Sequence, residues 1–598
     1  MKTTKRVGAL LTVIVIGAGL AACGGGGGGG GPTTPISVAF TSPLPGSLSI
    51  SDTASLAATV SNDPSFGGVT WSASCAAADC GSFNPGSSSS TAPAIYTPPS
   101  SLPNPASVTI TATSVTDRTK SASGAITLTA PAAPLLSDGT YVFHASGMDG
   151  NGAYFLAGAF KVAGGVIVSG EQDFSDPNLG SNDPIVASGS SLRAAGGNIQ
   201  IILATGNSAI GINGVETFRG TVVSTARVLL SQFDNFATAT GSLDLQTGST
   251  APSGGYAFAV QGNDTGSGNP LVMGGILSFT GSALDAGASV FDVNDGGAVL
   301  QKQSFESGTV STPDQFGRVV LDLVPSSASS VAEVKFSAYV VGPARLQLVE
   351  SQADTLNANL GGTALGQGTN AGQFTLASVA GSSYAHGTVG VEANANGPGP
   401  LTLAGGFGLN ADGTVGGKMA FADSNVHQGN SISGTYTIDP TGRVTLNQIV
   451  LSTTGVTLNF QLYLDGEGNG LLIGVDSFQV TQGLAYAQVS GQPLGGAYAL
   501  SAQGITSAGT FSAVGPVSVV SGTFSGLTDY NNDGSPQPAT PLNGSQDLSN
   551  GTLQLTGLSG DTTTQSGWGY YPIDSSRTLA IEVDGQQLGL LVLEAVSP

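Results

Sequence analysis

A nine-residue pattern, Gly-x-Tyr-x-Phe-x-x-x-Gly, returns at wide and nearly even intervals along this chain. It stands as Gly139-Thr-Tyr141-Val-Phe143-His-Ala-Ser-Gly147 and as Gly254-Gly-Tyr256-Ala-Phe258-Ala-Val-Gln-Gly262. It stands again, with Leu for Phe, as Gly496-Ala-Tyr498-Ala-Leu500-Ser-Ala-Gln-Gly504, and Ser382-Ser-Tyr384-Ala-His386-Gly-Thr-Val-Gly390 is a decayed copy. The starts lie 115, 128 and 114 residues apart. Self-similarity at a fixed period calls for one structural unit built several times over. Apolar residues at alternate positions within the pattern call for a strand.

Further elements keep step. Ala157-Gly158-Ala-Phe160, Gly274-Gly275-Ile276, Gly405-Gly406-Phe407 and Gly515-Pro516-Val517 correspond. An aromatic with an acidic or Asn-rich turn comes next: Phe174-Ser-Asp176, Phe291-Asp292-Val-Asn294-Asp295-Gly296, Phe421-Ala-Asp423-Ser-Asn425 and Asp529-Tyr530-Asn531-Asn532-Asp533-Gly534. Later still stand Phe316-Gly317-Arg318-Val319 and Thr441-Gly442-Arg443-Val444. Each unit reads as a meander of short antiparallel strands turning at Gly, Asn and Asp. The expected units are 135–249, 250–372, 373–493 and 494–598, each long enough to close a small barrel or form a sandwich with its own core and to fold alone. The 91 glycines and 30 prolines, about a fifth of the chain, oppose long helices. One helical hint runs from Glu350 to Leu360, with Ala353, Leu356 and Leu360 on one face.

Upstream, residues 36–131 read as one β-sandwich. Ile36, Val38 and Phe40 alternate, as do Leu56, Ala58 and Val60, and Val108, Ile110 and Ala112. The order Val69-Thr-Trp71-Ser-Ala-Ser-Cys75, Asp79-Cys80-Gly81-Ser-Phe83, Tyr96-Thr-Pro98-Pro99 and Val108-Thr-Ile-Thr-Ala-Thr113 resembles a bacterial Ig-like domain. It departs from antibody-type domains in having no sheet-to-sheet cysteine pair, and Trp71 reads as core. Pro131-Ala-Ala-Pro134 is a linker. The fold class expected is all-β: an Ig-like sandwich followed by about four β-meander repeats. Those repeats resemble a type found in tandem behind Ig-like domains in bacterial lipoproteins, a resemblance that implies no activity.

The first residues bear on location. Lys2, Lys5 and Arg6 precede an apolar run from Val7 to Ala22 that is short for a bilayer span. Leu20-Ala-Ala-Cys23 then resembles the lipobox of a bacterial lipoprotein. The resemblance implies that residues 1–22 are a cleaved signal peptide, that Cys23 is lipidated, and that the chain is anchored in the cell envelope. Glycine after Cys23 resembles the pattern sent to the outer membrane. Gly24–Gly31 and the prolines to residue 35 form a tether; eight glycines reach ~15 Å root-mean-square. With Cys23 taken, Cys75 and Cys80 remain as a disulfide pair in an oxidising compartment, stapling one loop. The net charge of −22 becomes −25 once the three basic residues of the signal leave, and such a chain repels nucleic acid.

Chemistry is sparse. The three histidines, His144, His386 and His427, do not recur at one repeat position and have no metal-ligand spacing. Asp264-Thr265-Gly266-Ser267 matches the aspartic-protease triplet, but that chemistry needs two such carboxylates face to face, and the matching stretch of the first repeat, Asp149-Gly-Asn151-Gly, is a hairpin turn. No catalytic residue is expected. Asp529-Tyr-Asn531-Asn-Asp533-Gly matches the first half of a calcium loop, with Thr540 where the bidentate Glu should stand. Asp529, Asn531 and Asp533 are therefore a calcium candidate beside a plain hairpin; Asp465-Gly-Glu467-Gly-Asn469 is a weaker one. No other cofactor is expected. The reading is a lipid-anchored envelope protein with a non-enzymatic structural, adhesive or binding role, whose partners are the membrane through its lipid and a surface glycan or protein. The alternatives are a carrier of an apolar ligand inside β-barrel repeats and a hydrolase with an unfamiliar site.

Overall fold

Alternation of apolar and polar residues becomes strands throughout. In the computed structural model, residues 34–597 are described apart from 51–52, 100–101, 130–134, 178, 196, 352, 395–396, 424–426, 490–493, 508, 560–562 and 586. The expected signal peptide, the lipidation candidate Cys23 and most of the expected tether therefore lie outside the described residues. The chain divides into two compact units between residues 133 and 134.

The first unit is a sandwich of a four-stranded and a five-stranded sheet. Its core holds Leu56, Val69, Trp71, Tyr96, Val108, Ile110 and Ile126. Trp71 stacks between Phe40 and Phe83, with ring centroids at 6.3 and 5.4 Å, and its indole N–H donates to Ser88 Oγ at 2.9 Å. Cys75 and Cys80 are joined by a disulfide across the loop after Val69–Ser74, with Cα atoms 5.5 Å apart.

The second unit holds four sheets, here termed lobes 1 to 4, spanning 139–245, 254–366, 383–487 and 496–595. In each, the strand bearing the repeated pattern pairs with the strand after it and with the last strand of its lobe. Gly139–Asp149 lies between Ala153–Ala163 and Ala237–Leu245, and Gly496–Thr506 between Gly509–Val520 and Leu588–Ala595. Lobes 3 and 4 are closed eight-stranded barrels; lobe 2 closes through pairing of its first strand with both Pro270–Thr280 and Ala358–Gly366; lobe 1 is a nine-stranded sheet curled round one core.

The pattern has a packing logic. Tyr141 and Phe143, Tyr256 and Phe258, Tyr384, and Tyr498 and Leu500 point into their own lobe cores. The closing glycine is where the last strand crosses tightly: a Cβ on Gly147, Gly262, Gly390 or Gly504 would collide with the carbonyl oxygen of Thr238, Asn359, Val480 or Leu588. The lumens are filled with side chains, so the space for a ligand inside the barrels that the carrier alternative requires is taken up by core; beside His386 in lobe 3 only about 10 Å³ is left.

The helix read at 350–360 is replaced by the end of strand Arg345–Glu350, a turn, and the start of strand Ala358–Gly366. The Asp354 carboxylate accepts from the Lys335 and Leu356 backbone N–H groups, and Asn357 sits at a φ of 60°, which stops helical continuation. The α-helix among the described residues is the single turn Leu376–Val379, and no helix there is long and apolar enough to cross a membrane.

Candidate functional site: the lobe seams and the axial cavity

The faces of the lobes that turn away from their own cores are apolar too, and they meet one another. Val142, Phe155, Ala157 and Ala159 of lobe 1 pack on Phe316, Tyr339, Val341 and Val349 of lobe 2. Ala257, Ala259, Val272 and Ile276 of lobe 2 pack on Tyr463, Leu471, Ile473 and Val480 of lobe 3. Ala385, Ala404, Ala420 and Ala422 of lobe 3 meet Ile573, Leu579, Ile581 and Val583 of lobe 4. Ala499 and Val514 of lobe 4 return to Val223 and Leu229 of lobe 1. The contacts run 1–2, 2–3, 3–4 and 4–1, so the lobes close a ring. Each lobe has its own core, and residues 134–598 form one compact unit because each lobe leaves an apolar flank that its neighbour covers.

Polar clamps sit within the seams at one repeat position. Asp173 of lobe 1 accepts from Arg318 Nε at 2.6 Å, Ser337 Oγ at 2.8 Å and Tyr339 Oη at 2.6 Å, all of lobe 2. Asp292 of lobe 2, fully buried, accepts from Arg443 Nε at 2.8 Å and Tyr463 Oη at 2.7 Å of lobe 3. Asp529 of lobe 4 accepts from Asn198 Nδ2 of lobe 1 at 2.8 Å. Lobe 3 carries Ala420 at this register: Ala404 pairs with Ala420 as Ala157 pairs with Asp173 and Gly274 with Asp292. Two residues on, Asn294 donates from Nδ2 to the carbonyls of Gly474, Asp476 and Gln479, and Asn531 likewise to those of Gln232, Asp234 and Ala237. Each asparagine thus plugs the last hairpin of the following lobe.

That geometry places the calcium candidates. Asp529 and Asn531 point from one strand face into lobe 1 and spend their oxygen and nitrogen there, while Asp533 lies in the turn beyond, at a φ of 48°. Among the described residues no group of three His, Cys, Asp or Glu side chains is placed to hold a metal. Asp465 accepts from the backbone N–H groups of Glu467 and Asn469, a turn closure. Asp264 accepts from Gly266 N and Ser267 Oγ and closes its hairpin. His144 is partly buried near Asp244, and desolvation holds it down to about 4. His386 packs between Phe407 and Phe460 in the lobe 3 core, lowered to about 4 by burial. His427 pairs through its backbone with Phe421.

Where the four lobes converge they leave a cavity of about 400 Å³, within the ~300–1,000 Å³ span of ligand pockets. Its wall repeats with the lobes. The residue before the pattern's closing glycine contributes Ser146, Gln261, Val389 and Gln503; the residue after it contributes Met148, Asn263, Val391 and Ile505. Phe155, Leu271, Leu401, Phe511 and Leu588 add apolar surface, Thr240, Thr402 and Ser512 hydroxyls. Among the described residues no Asp, Glu, Lys, Arg or His lines it. Sequence reasoning found the first strands but not the cavity, because the wall residues alternate with core residues and read as the outer face of an ordinary strand.

No family model matches this sequence, and no curated protein sequence matches it. Among solved structures, transferrin-binding protein B from Neisseria meningitidis serogroup B aligns at 9% identity over 58% of this chain and 75% of its own, with a TM-score of 0.18. A double mutant of transferrin-binding protein B from Haemophilus parasuis Hp5 aligns at 9% identity over 78% of this chain and 96% of its own, with a TM-score of 0.16. Superposition at that level establishes no shared fold.

Proposed function

We propose that this chain is a lipid-anchored, non-enzymatic binding protein of the bacterial envelope whose binding element is the ring of four lobes. In this reading residues 1–22 are the signal peptide, Cys23 carries the acyl chains, residues 36–131 are an Ig-like domain, and 135–249, 250–372, 373–493 and 494–598 are the four β repeats. The observation that carries the binding role is the axial cavity: all four lobes contribute to it and its wall holds no ionisable group among the described residues. A wall of that composition offers shape and hydrogen bonds, but no base beside its Ser and Thr hydroxyls that would activate them as nucleophiles. The lipid anchor rests on Lys2, Lys5, Arg6 and the Leu20–Cys23 motif, since stable attachment needs two or more acyl chains.

Two experiments test this. Cys23→Ser is expected to abolish acyl labelling and membrane retention; retention unchanged would remove the anchor. The chain from residue 24 onward, screened against glycosidase, esterase and peptidase substrates beside a panel of glycans, proteins and small amphiphiles, is expected to bind without turnover. Saturable turnover lost on changing one Asp or Glu would make it an enzyme instead.

A further inference from the structure

We propose that the axial cavity takes an uncharged amphipathic small molecule, an apolar skeleton bearing hydroxyl or carbonyl groups, of which a monoacylglycerol is the working probe. The proposal rests on the binding role argued above and adds the ligand class. Three observations converge. First, the cavity wall contains no ionisable side chain among the described residues although all four lobes build it; an ionic headgroup inside it would lose hydration and find no counter-charge. Second, the wall is polarised. On either side of the pattern's closing glycine lobe 3 offers Val389 and Val391 and lobe 2 offers Gln261 and Asn263, while lobes 1 and 4 are mixed, with Ser146 and Met148 and with Gln503 and Ile505. Since contacts run round the ring in the order 1–2–3–4, lobes 1 and 3 face each other across the axis, hydroxyl against valines. Third, the wall carries polar groups. Gln503 Oε1 accepts from the Thr240 hydroxyl. Its amide nitrogen, the Gln261 amide and the Ser146 hydroxyl belong to partly buried side chains that line the cavity and can turn to what fills it. Such groups match the carbonyl and hydroxyls of a neutral headgroup, and the valine wall matches its chain. A plain oligosaccharide fits less well: most of this wall is aliphatic and offers no broad aromatic platform.

The test holds chain length fixed and varies the head. The unlipidated chain from residue 24 is titrated calorimetrically with 1-lauroylglycerol, laurate, dodecylamine and maltotetraose. The expected result is saturable 1:1 binding of 1-lauroylglycerol, at least tenfold tighter than the other three. Val389→Trp and, independently, Ser146→Trp fill the cavity from opposite walls and should each weaken binding tenfold or more while leaving the melting transition in place; two variants guard against misfolding of one. Gln261→Leu should weaken binding by roughly five- to tenfold, the loss of one hydrogen bond of about 1–1.5 kcal/mol. Equal binding of laurate or dodecylamine, or binding indifferent to both Trp variants, overturns the proposal. Binding of maltotetraose alone, blocked by the Trp variants, overturns the ligand class and leaves the binding role standing. Silence from all four probes overturns the class, and the broader panel above then decides the role.

Discussion

At the scale of single residues, the scarcest side chains do the structural work. The chain has 16 Lys and Arg in total, yet Arg318 and Arg443 both stand after a turn glycine and both reach a carboxylate on the preceding lobe. Removing one partner of a buried pair strands the other charge, so Asp292→Ala is expected to destabilise the ring by roughly 3–5 kcal/mol, read as the urea midpoint; a shift under 1 kcal/mol would mean that Arg443 finds water. A second prediction concerns pH. Burial, with Asp354 adding to it, raises Glu350 to about 9. Burial likewise raises Glu171 to about 8, with Asp314 beside it, and Glu216 to about 7 against its Gln172 and Tyr154 hydrogen bonds. The ordinary glutamate value is 4.5, so between 4.5 and these folded values the native chain holds more protons than the unfolded one, and stability falls as pH rises through that window. His144 and His386 act oppositely: neutral when folded down to about 4 and ordinarily 6.5, they cost stability as pH falls from 6.5 to 4. The melting temperature should peak in mild acid, with Glu350→Gln flattening the alkaline limb and His386→Phe, which installs the residue of Phe143 and Phe258, flattening the acid one. A profile flat from pH 4 to 9 would contradict both assignments.

At the scale of strands, the repeated pattern is a closure device. Its aromatics fill the lobe and its last glycine admits the final strand, so Gly262→Val should abolish the folded state: the new side chain meets the Asn359 carbonyl and Phe155 of the neighbouring lobe. Soluble protein with a normal near-ultraviolet spectrum would show that the strand can step aside. This part of the fold was legible, because aromatic and glycine spacing is local and was repeated four times. The seams were not. Ala257, Ala259, Ala385 and Ala499 are small residues on strand faces, and nothing local separates a face covered by a neighbour from one covered by water. Asp529 and Asn531 were ambiguous for a related reason: oxygen-bearing side chains at alternate positions suit a cation and equally suit a neighbouring lobe's side chains or hairpin. The signal that could have separated these was recurrence, Asp292-x-Asn294 with Asp529-x-Asn531, matched by Gly317-Arg318 with Gly442-Arg443. A second such signal, Gln246, Gln367 and Gln488 at a spacing of 121, also went unread. These glutamines leave each lobe and donate to backbone carbonyls of the next: Phe316 and Val340, Thr441 and Leu464, and Pro572.

At the scale of the whole unit, the four seams are unequal, and the inequality fixes where the ring should open. Seams 1–2 and 2–3 each hold an Asp–Arg–Tyr clamp. Seam 4–1 holds Asp529 on Asn198, and Arg227 bridging Asp244 and Glu594 at 2.6 and 2.8 Å. Seam 3–4 has lost the clamp on both sides: Ala420 and Ala422 replace the Asp and Asn, Thr552 follows its turn glycine where Arg443 does in lobe 3, and Gly569 pairs with Thr552 where Tyr463 pairs with Arg443. Among the described residues, what holds this seam is apolar packing, the Gln488 and Val489 bonds to Pro572 and Ile573, the Tyr571 hydroxyl on the Ala420 backbone, and Arg577 over the Tyr486 ring at 4.7 Å, a contact of about 0.5–1 kcal/mol where exposed. Local opening follows the least-held contacts, so hydrogen exchange should be faster at the Val489 amide, which donates to Ile573 across seam 3–4, than at the Thr247 amide, which donates to Val341 across seam 1–2. Ala420→Asp alone should make seam 3–4 worse by burying a lone carboxylate, and adding Thr552→Arg should recover part of that loss by rebuilding the clamp that the other repeats use. Equal protection of the two amides, or no coupling between the two substitutions, would mean that the clamps do not set the order in which the ring comes apart.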